Sequence, residues 1–437
     1  MHRAVLPGGS GVSFEASRAG FPPSPTLCSW VSPLLVPVNA DRAVWLTGVA
    51  VYVTSHDAAN RCTRAVDGHV LAEEVTIPME VALAYSPMLD AYDLGPEHPF
   101  KPERVTLAVA MMRENGLIAE GALRPIEFAS AAPDDLLRVH APEYVELVMR
   151  ASGPGGLRRA QAGIGPGDTP TFPGMHDAAA LIVGATAAAL RAVLSGEYTH
   201  ALAPAGGLHH AHRDYASGFC VYNDIAVAIA EALERQPTLR ILYIDIDAHH
   251  GDGVQDMFRA EPRVLTISLH EDGRYLFPGT GVVTERGEGP GLGSAINVPL
   301  PPLANDACYM LAFDEVVAPA SRAFMPDVIV AQCGADAHWS DPLTNLGVTL
   351  HGFRALYGRL TTLADESCDG RLLATGGGGY SWQRIVPSAW TLLASALTGV
   401  TLPPALAEEP DAPALRADEA LEATRAVIAS LRDAGAV

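Results

Sequence analysis

Short apolar runs recur through the later part of the chain, at Ile241–Ile246, Val264–Leu269, Val328–Gln332 and Leu372–Thr375, each closing on polar or glycine residues. Runs of this length bounded by turn formers predict strands buried on both faces. Between and around them, apolar residues fall at helical spacing near 177–195, 222–235, 306–323, 349–366 and 383–398. A first strand is expected in Glu80–Tyr85, followed by a loop over Asp93–Lys101. Alternating strands and helices predict an α/β fold with a parallel central sheet flanked by helices on both faces. Ligands of such sheets bind beyond the carboxyl ends of the strands, where the chemically interesting residues of this chain also fall. Residues 402–418, rich in proline, alanine and acids, read as a linker into a last helix at about 417–433. No internal repeat is present.

Residues 1–78 break the pattern. They open rich in Gly, Pro and Ser and sustain no period of 3.6 or 2. Two readings stay open: an N-terminal extension that is poorly ordered, or a stretch that is not translated, with Met79 as the true start. Either way, the working domain is expected over 79–437.

Composition narrows the function. At 437 residues, 49% apolar and 18% charged, the chain suits a globular protein with a large core. Its formal charge, 29 − 50 = −21, opposes the phosphate neutralisation that nucleic-acid binding needs. Six cysteines (28, 62, 220, 308, 333, 368) are scattered without a C-x-x-C pair, which fits a reducing cytoplasm. No signal peptide is expected, since no basic segment leads into an apolar run. The early apolar stretch at 44–53 is too short to span a bilayer, so no membrane role is expected.

The densest chemistry lies in Asp245-Ile-Asp-Ala-His-His-Gly-Asp252, at the end of a predicted strand. In an extended backbone Asp245, Asp247 and His249 share a face. Carboxylates and an imidazole converging there need a cation or mutual hydrogen bonds to offset desolvation. Mixed N/O ligation suits zinc or ferrous iron, and Asp336, just after the Val328–Gln332 strand, is the best further ligand. Asp247, His249 and Asp336 would leave an open position for water and substrate. The bland alternative is a buried polar network. The tandem pair His209-His210 needs one partner per ring, and Asp245 and Asp252 are the uncommitted carboxylates. Gly376–Gly379 then leads to Tyr380, read either as a flexible turn or as a loop holding a phenol over the metal to donate to an oxyanion.

These motifs resemble the zinc-dependent histone deacetylase family over about 82–400. The matching pieces are Gly95-Pro-Glu-His-Pro, Gly206-Gly-Leu-His-His-Ala, Ala216-Ser-Gly-Phe-Cys, Tyr243-Ile-Asp-Ile-Asp-Ala-His-His-Gly-Asp-Gly-Val, Phe277-Pro-Gly-Thr-Gly, Gln332-Cys-Gly-Ala-Asp and Gly376-Gly-Gly-Gly-Tyr, in family order. Within the family, Pro170-Thr-Phe-Pro-Gly-Met-His, Gly273-Arg-Tyr-Leu-Phe-Pro-Gly-Thr-Gly and Val386-Pro-Ser-Ala-Trp resemble the bacterial acetoin utilization proteins.

The resemblance implies the arginase–deacetylase fold and hydrolysis of the ε-acetamide of acetyl-lysine. It implies Asp247, His249 and Asp336 as metal ligands, His209 paired with Asp245, and His210 paired with Asp252. His210 would be the general base and later acid, and Tyr380 would polarise the acyl carbonyl. Phe219 and Phe277 would wall a narrow tube, Gly218 would offer its carbonyl to the substrate amide, and Asp168 would grip the substrate backbone at the rim. A structural potassium ion is implied near Asp245, Asp247, His249 and Ser268. An acetylated protein is the implied partner, with acetyl-CoA synthetase the implied bacterial target. His250 is left without a catalytic task and is expected to be structural.

Two features depart from the family: His212-Arg213, where lysine is frequent, and the rim segment 337–345. Both bear on substrate preference rather than on the reaction. Competing readings are an amidohydrolase of acetylated polyamines or other small N-acyl amines, and an inactive acyl-lysine binding protein. A ureohydrolase on the same architecture would need a second metal's ligands, which the pattern lacks.

Overall fold

The structure, a computed structural model, describes the backbone of four strands between residues 45 and 76, then residues 80–436 except 120, 154–161, 166 and 410–416. The chain divides into two units, Met1–Val75 and Thr76–Val437. In the first, β1 (Trp45–Leu46), β2 (Val49–Val53), β3 (Arg61–Val66) and β4 (His69–Thr76) form a four-stranded sheet in chain order. The pairings of β1 with β2 and of β2 with β3 are antiparallel. No element was expected here. A segment such as Arg61-Cys-Thr-Arg-Ala-Val carries no strict alternation from which a strand could be read. The expectation that 1–78 is poorly ordered or untranslated otherwise falls outside the described residues, as do Met79 and most of the expected linker.

The second unit holds an eight-stranded sheet made of β5 (Val81–Leu83), β6 (Leu123–Pro125), β7 (His200–Ala203), β8 (Ile241–Asp245), β9 (Val264–Glu271), β10 (Ala295–Leu300), β11 (Val328–Gln332) and β12 (Leu372–Thr375). Their order is β10-β9-β8-β11-β12-β7-β5-β6, and every neighbouring pair is parallel. Every residue of β7 to β12 is buried, so both faces are covered, as the continuous apolar runs predict. The covering helices are α1 (Glu103–Glu114), α2 (Pro133–Leu136), α3 (Pro142–Ala151), α4 (Met175–Leu194), α5 (Asp224–Arg235), α6 (Asp252–Phe258), α7 (Asp306–Ala312), α8 (Ala318–Phe324), α9 (Leu350–Cys368), α10 (Ile385–Thr398) and α11 (Ala417–Asp433).

The two strands missed at the edges, β6 and β10, contain Pro125 and Pro299. Proline cannot donate to a ladder, so it argues against a strand in general but is tolerated at an edge, where both of these lie. The single helix expected over 306–323 is three segments, with a π-turn at Phe313–Val317 between α7 and α8. Pro319 explains it: its nitrogen cannot bond back one turn, and the local winding relaxes. Helix α4 is long and apolar enough to cross a membrane, but 78% of its apolar window is buried in the fold. At Gly184 a Cβ would stand 1.8 Å from the Ala129 carbonyl oxygen, so its small residues serve close packing.

Strand order brings β8 and β11 together at the middle of the sheet. The segments leaving β7, β8, β9, β11 and β12 at their carboxyl ends carry the candidate residues apart from Asp168, which lies between α3 and α4, and Ser268, which lies within β9.

Candidate active site

Strand β8 stops at Asp245, one residue short of the expected end, because aspartates recapture the backbone. Asp245 Oδ1 accepts from Asp247 N (3.1 Å), and Asp247 Oδ1 accepts from His249 N (2.9 Å). These turns correct the extended picture in which Asp245, Asp247 and His249 share one face. Asp247 and His249 swing toward Asp336, while Asp245 stays with the strand and meets His209.

One ligand atom each from Asp247, His249 and Asp336 lies within 4.8 Å of the others, and all three residues are buried. His249 Nδ1 stands 3.1 Å from Asp247 Oδ1 and 2.9 Å from Asp336 Oδ2. Burial and the Asp247 charge push Asp336 up to about 7. Three lone-pair donors around one point, two of them carboxylates out of water, fit a divalent cation in an N/O site. Glycines press close around the carboxylates: a Cβ on Gly378 would lie 1.9 Å from Asp336 Oδ2, and one on Gly334 would lie 2.0 Å from Asp247 Oδ2. Gly378 N and Gln332 Nε2 each donate to Asp247 Oδ2 at 2.7 Å, fixing the carboxylate's plane.

The two histidines ride on the loop after β7, clamped by the start of α5. Asp224 accepts from Gly207 N (3.0 Å) and Leu208 N (2.7 Å). Asn223 caps the helix by accepting from Ala226 N, and its Nδ2 donates to the His209 and Ala211 carbonyls. Gly207 sits at φ +101° where a Cβ would meet the Gly376 carbonyl at 2.5 Å, so the loops after β7 and β12 touch there. His209 Nδ1 then meets Asp245 Oδ2 at 2.8 Å, and His210 Nδ1 meets Asp252 Oδ1 at 2.7 Å. Burial opposes charge on His209, but Asp245 and Asp247 outweigh it and raise it to about 9. Burial and the neighbouring His209 push His210 down to about 4.

Gly218 and Phe219 form the tip of a hairpin closed by Ser217 and Cys220, both at positive φ (50° and 70°), as a two-residue primed turn requires. Phe219 is held there by Tyr92, whose hydroxyl donates to its carbonyl at 2.7 Å. The Phe219 ring packs edge-on against Tyr380 (5.7 Å), and Phe277 packs against His210 (5.0 Å). The Gly218 carbonyl accepts from the Cys220 thiol at 3.2 Å. The Tyr380 ring faces His249 at 6.5 Å, and burial together with Asp336 and Asp247 keeps its phenol protonated. Asp168 is exposed, and its carbonyl meets His98 Nε2, whose ring packs edge-on against Phe219. Asp168 is therefore tied to the same wall. Ser268 lies across the ladder from Asp245, but its Oγ meets His270 Nδ1 at 2.8 Å.

His250 turns away from the cluster. Its Nδ1 meets Thr280 Oγ1 at 2.8 Å and its Nε2 meets Gln255 Oε1 at 3.2 Å, tying the Phe277 loop to α6. Three residues escaped the sequence reading. Asp341 accepts from Tyr380 N at 2.8 Å and so sets the tyrosine's loop. Buried Arg104 donates to the Gly379 carbonyl at 3.0 Å. His212 shares Asp252 with His210. His212 left a signal as a departure from an otherwise matching motif, and Asp341 left a fainter one as part of the departing segment 337–345.

The chain resembles known proteins over most of its length. The profile of the histone deacetylase domain matches residues 98–397. The acetoin utilization protein AcuC of Bacillus subtilis (strain 168) is 42% identical over 319 residues, 72% of this chain and 81% of the relative. AcuC of Staphylococcus xylosus is 36% identical over 72% of this chain and 82% of its own length. Among solved structures, the HDA15 HD domain superimposes with a TM-score of 0.67 at 27% identity, over 81% of this chain and 96% of that one.

Proposed function

The chain belongs to the histone deacetylase family, and from that premise we propose that it removes the acetyl group from acetyl-lysine in a protein by metal-dependent hydrolysis. The observation that carries this reading is the buried Asp247–His249–Asp336 cluster, with one neutral and one charged histidine beside it. When bound there, a zinc or ferrous ion supplies Lewis acidity, polarising the acyl oxygen and bringing a water toward a pKa of ~7.

The chain's own groups do the rest. His210 Nδ1 is held by Asp252, leaving Nε2 free to take the water proton and return it to the departing amine. Neutral His210 is in the right state to accept a proton near pH 7. Tyr380, protonated, donates to the oxyanion as the tetrahedral centre forms, a contribution of roughly 3 kcal/mol. Phe219 and Phe277 sheathe the methylene chain and exclude water, Gly218 receives the substrate N–H, and Asp168 takes the peptide backbone at the rim. A potassium ion beside Asp245 and Ser268 belongs to the same reading. So does a setting in acetoin utilization, with acetylated acetyl-CoA synthetase as the partner. Cys220, Cys308, Cys333 and Cys368 are all free, in keeping with a reducing compartment.

The test is a side-by-side assay of the purified full chain on an acetyl-lysine peptide and an acetylated polyamine. Preference for the peptide, loss on chelation and recovery with zinc or ferrous ion are expected. Asp247→Ala should bind no metal. Preference for the polyamine would overturn the protein substrate, and undiminished turnover by Asp247→Ala would overturn the ligand assignment.

A further inference from the structure

The rim segment 337–345, which departs from the family, is pinned by a residue that lies beyond the matched stretch 98–397. After α10 the chain turns through Pro404–Ala407, anchored by buried Leu402 and Ala407, and delivers Glu409 to the start of α9. The Glu409 side chain is only 5% exposed. Its Oε1 accepts from His338 Nε2 (2.7 Å) and Trp339 Nε1 (3.1 Å), and its Oε2 accepts from Leu350 N (2.6 Å). A carboxylate suits that last position, because the first amides of a helix find no partner within it. His338 Nδ1 accepts from Ser340 N at 3.2 Å, so the ring's proton sits on Nε2 and is the one given to Glu409.

From there a short run of bonds reaches Tyr380. Asp341 N donates to the His338 carbonyl at 2.9 Å, and Trp339 N donates to the Val348 carbonyl at 2.9 Å, which closes the turn. Buried Asp341 then accepts from Leu343 N through Oδ1 (3.0 Å) and from Tyr380 N through Oδ2 (2.8 Å). On the other side, Arg104 holds the Gly379 carbonyl. Gly379 sits at φ +141°, in a run of four glycines with little stiffness of its own, so these two ties set where the phenol points. Asp341 can hold its end only while the turn that carries it stays in place.

We propose that Glu409 is a positioning residue for the hydrolysis: by gripping His338, Trp339 and the start of α9 it fixes the turn whose Asp341 carboxylate orients Tyr380. This rests on the reading of Tyr380 as the donor to the oxyanion. Water could satisfy the three donors one by one, but only a fixed carboxylate also ties them to one another. A donor acts on the transition state only where the oxyanion forms, so a misplacement of about 1 Å costs much of its effect. Glu409 acts through two residues and needs no contact with the substrate.

The experiment is a double-mutant cycle on the zinc-loaded full chain: wild type, Glu409→Ala, Tyr380→Phe and the pair, assayed on an acetyl-lysine peptide. Hydrogen–deuterium exchange over residues 377–384 is followed beside it. Glu409→Ala should lower kcat about tenfold with KM within about threefold, a part of the roughly 10²–10³-fold that a lost oxyanion donor costs. Exchange over 377–384 should quicken about tenfold as the tie to Asp341 opens more often. In the Tyr380→Phe background the same alanine should change kcat by less than about twofold, because the hydroxyl it positions is gone. Glu409→Asp keeps the charge and draws it back by one methylene. It should fall between wild type and alanine in both readings, and it carries the same cycle if the alanine variant does not fold. Equal losses in both backgrounds would show a general loosening of the fold and overturn the proposal, as would unchanged exchange over 377–384. Failure of the parent reading looks different: wild type would not turn over the peptide, while exchange would still report the link from Glu409 to Tyr380.

Discussion

The pocket of His209 and Asp245, at the end of β8, and the pocket of His210 and Asp252, at the start of α6, contain the same two side chains in nearly the same contact, at 2.8 and 2.7 Å. Their rings lie 4.0 Å apart, yet one is raised to about 9 and the other lowered to about 4. The difference lies in what else surrounds each pair. Asp245 receives neutral donors, the Tyr243 hydroxyl and the Asp247 amide, and His209 also faces Asp247 at 4.0 Å. Asp252 is divided between two imidazoles, and His210 has charged His209 beside it. A histidine–aspartate contact alone does not set a proton's place; burial and the other charges around the ring do.

If the two pockets divide the labour this way, removing their rings should separate them most. His210→Ala is expected to lower kcat/KM about 10³-fold, the range of a general acid–base group, with metal content unchanged. His209→Ala should lose about ten times less, since it acts on the cluster's field rather than on the water. Steady-state kinetics with elemental analysis of both variants checks this. Equal losses would show that the rings share one task.

The aspartates should separate next, and in opposite currencies of measurement. Asp252→Asn offers an N–H where His210 donates, favouring the wrong tautomer, and should cost roughly 10²-fold or more in kcat with little change in melting temperature. Asp245→Asn leaves buried donors facing one another and should destabilise the fold by about 2 kcal/mol while costing less in kcat. Denaturant unfolding beside kinetics reads both, and a reversal of the pattern would refute the division.

The sequence carried the middle of this picture further than its edges. Strands β11 and β12 were legible to the residue because they are buried on both faces and end in polar or glycine residues. Strand β7, His-Ala-Leu-Ala, was missed because a histidine leads it and only three apolar residues follow before Pro204, too few to give a period; the His200 ring is buried against the Leu397 carbonyl. Among the site residues, those bunched on one strand end announced themselves. Asp341 and Arg104 did not, because each works through a backbone contact that only the folded chain creates, with Tyr380 N and with the Gly379 carbonyl. His212 stood in plain view as a motif departure, but its link to Asp252 spans forty positions of chain.

Proton linkage offers a finer separation, with the metal chelated so that only protons compete. The folded value for His209 lies above its ordinary 6.5, so its stabilisation is complete below pH 6.5 and is lost as pH rises through about 9. For His210 the folded value lies below 6.5: the unfolded chain takes up its proton first, and stability falls as pH drops from 6.5 through about 4. Each window is worth about 3 kcal/mol. Denaturant unfolding at stepped pH should therefore show His209→Gln flattening the alkaline limb and His210→Gln the acid limb. The two effects exchanged would mean that the protonation states are exchanged too.

The smallest expected effect isolates the neutral donor that distinguishes the first pocket. Tyr243 donates to Asp245 Oδ2 at 2.5 Å, on the same oxygen that His209 Nδ1 contacts, and burial with the Asp245 charge keeps its phenol protonated. In Tyr243→Phe, Asp245 keeps its contact with His209 and its bond from the Asp247 amide, so the ring stays in place. The variant should lose about 1–2 kcal/mol, read as a melting temperature lower by ~2–4 °C. Turnover should stay within about twofold, because no proton that moves in the reaction passes through this hydroxyl. A tenfold fall in kcat at unchanged stability would place the β8 pocket in the proton path and end the distinction between the two histidines.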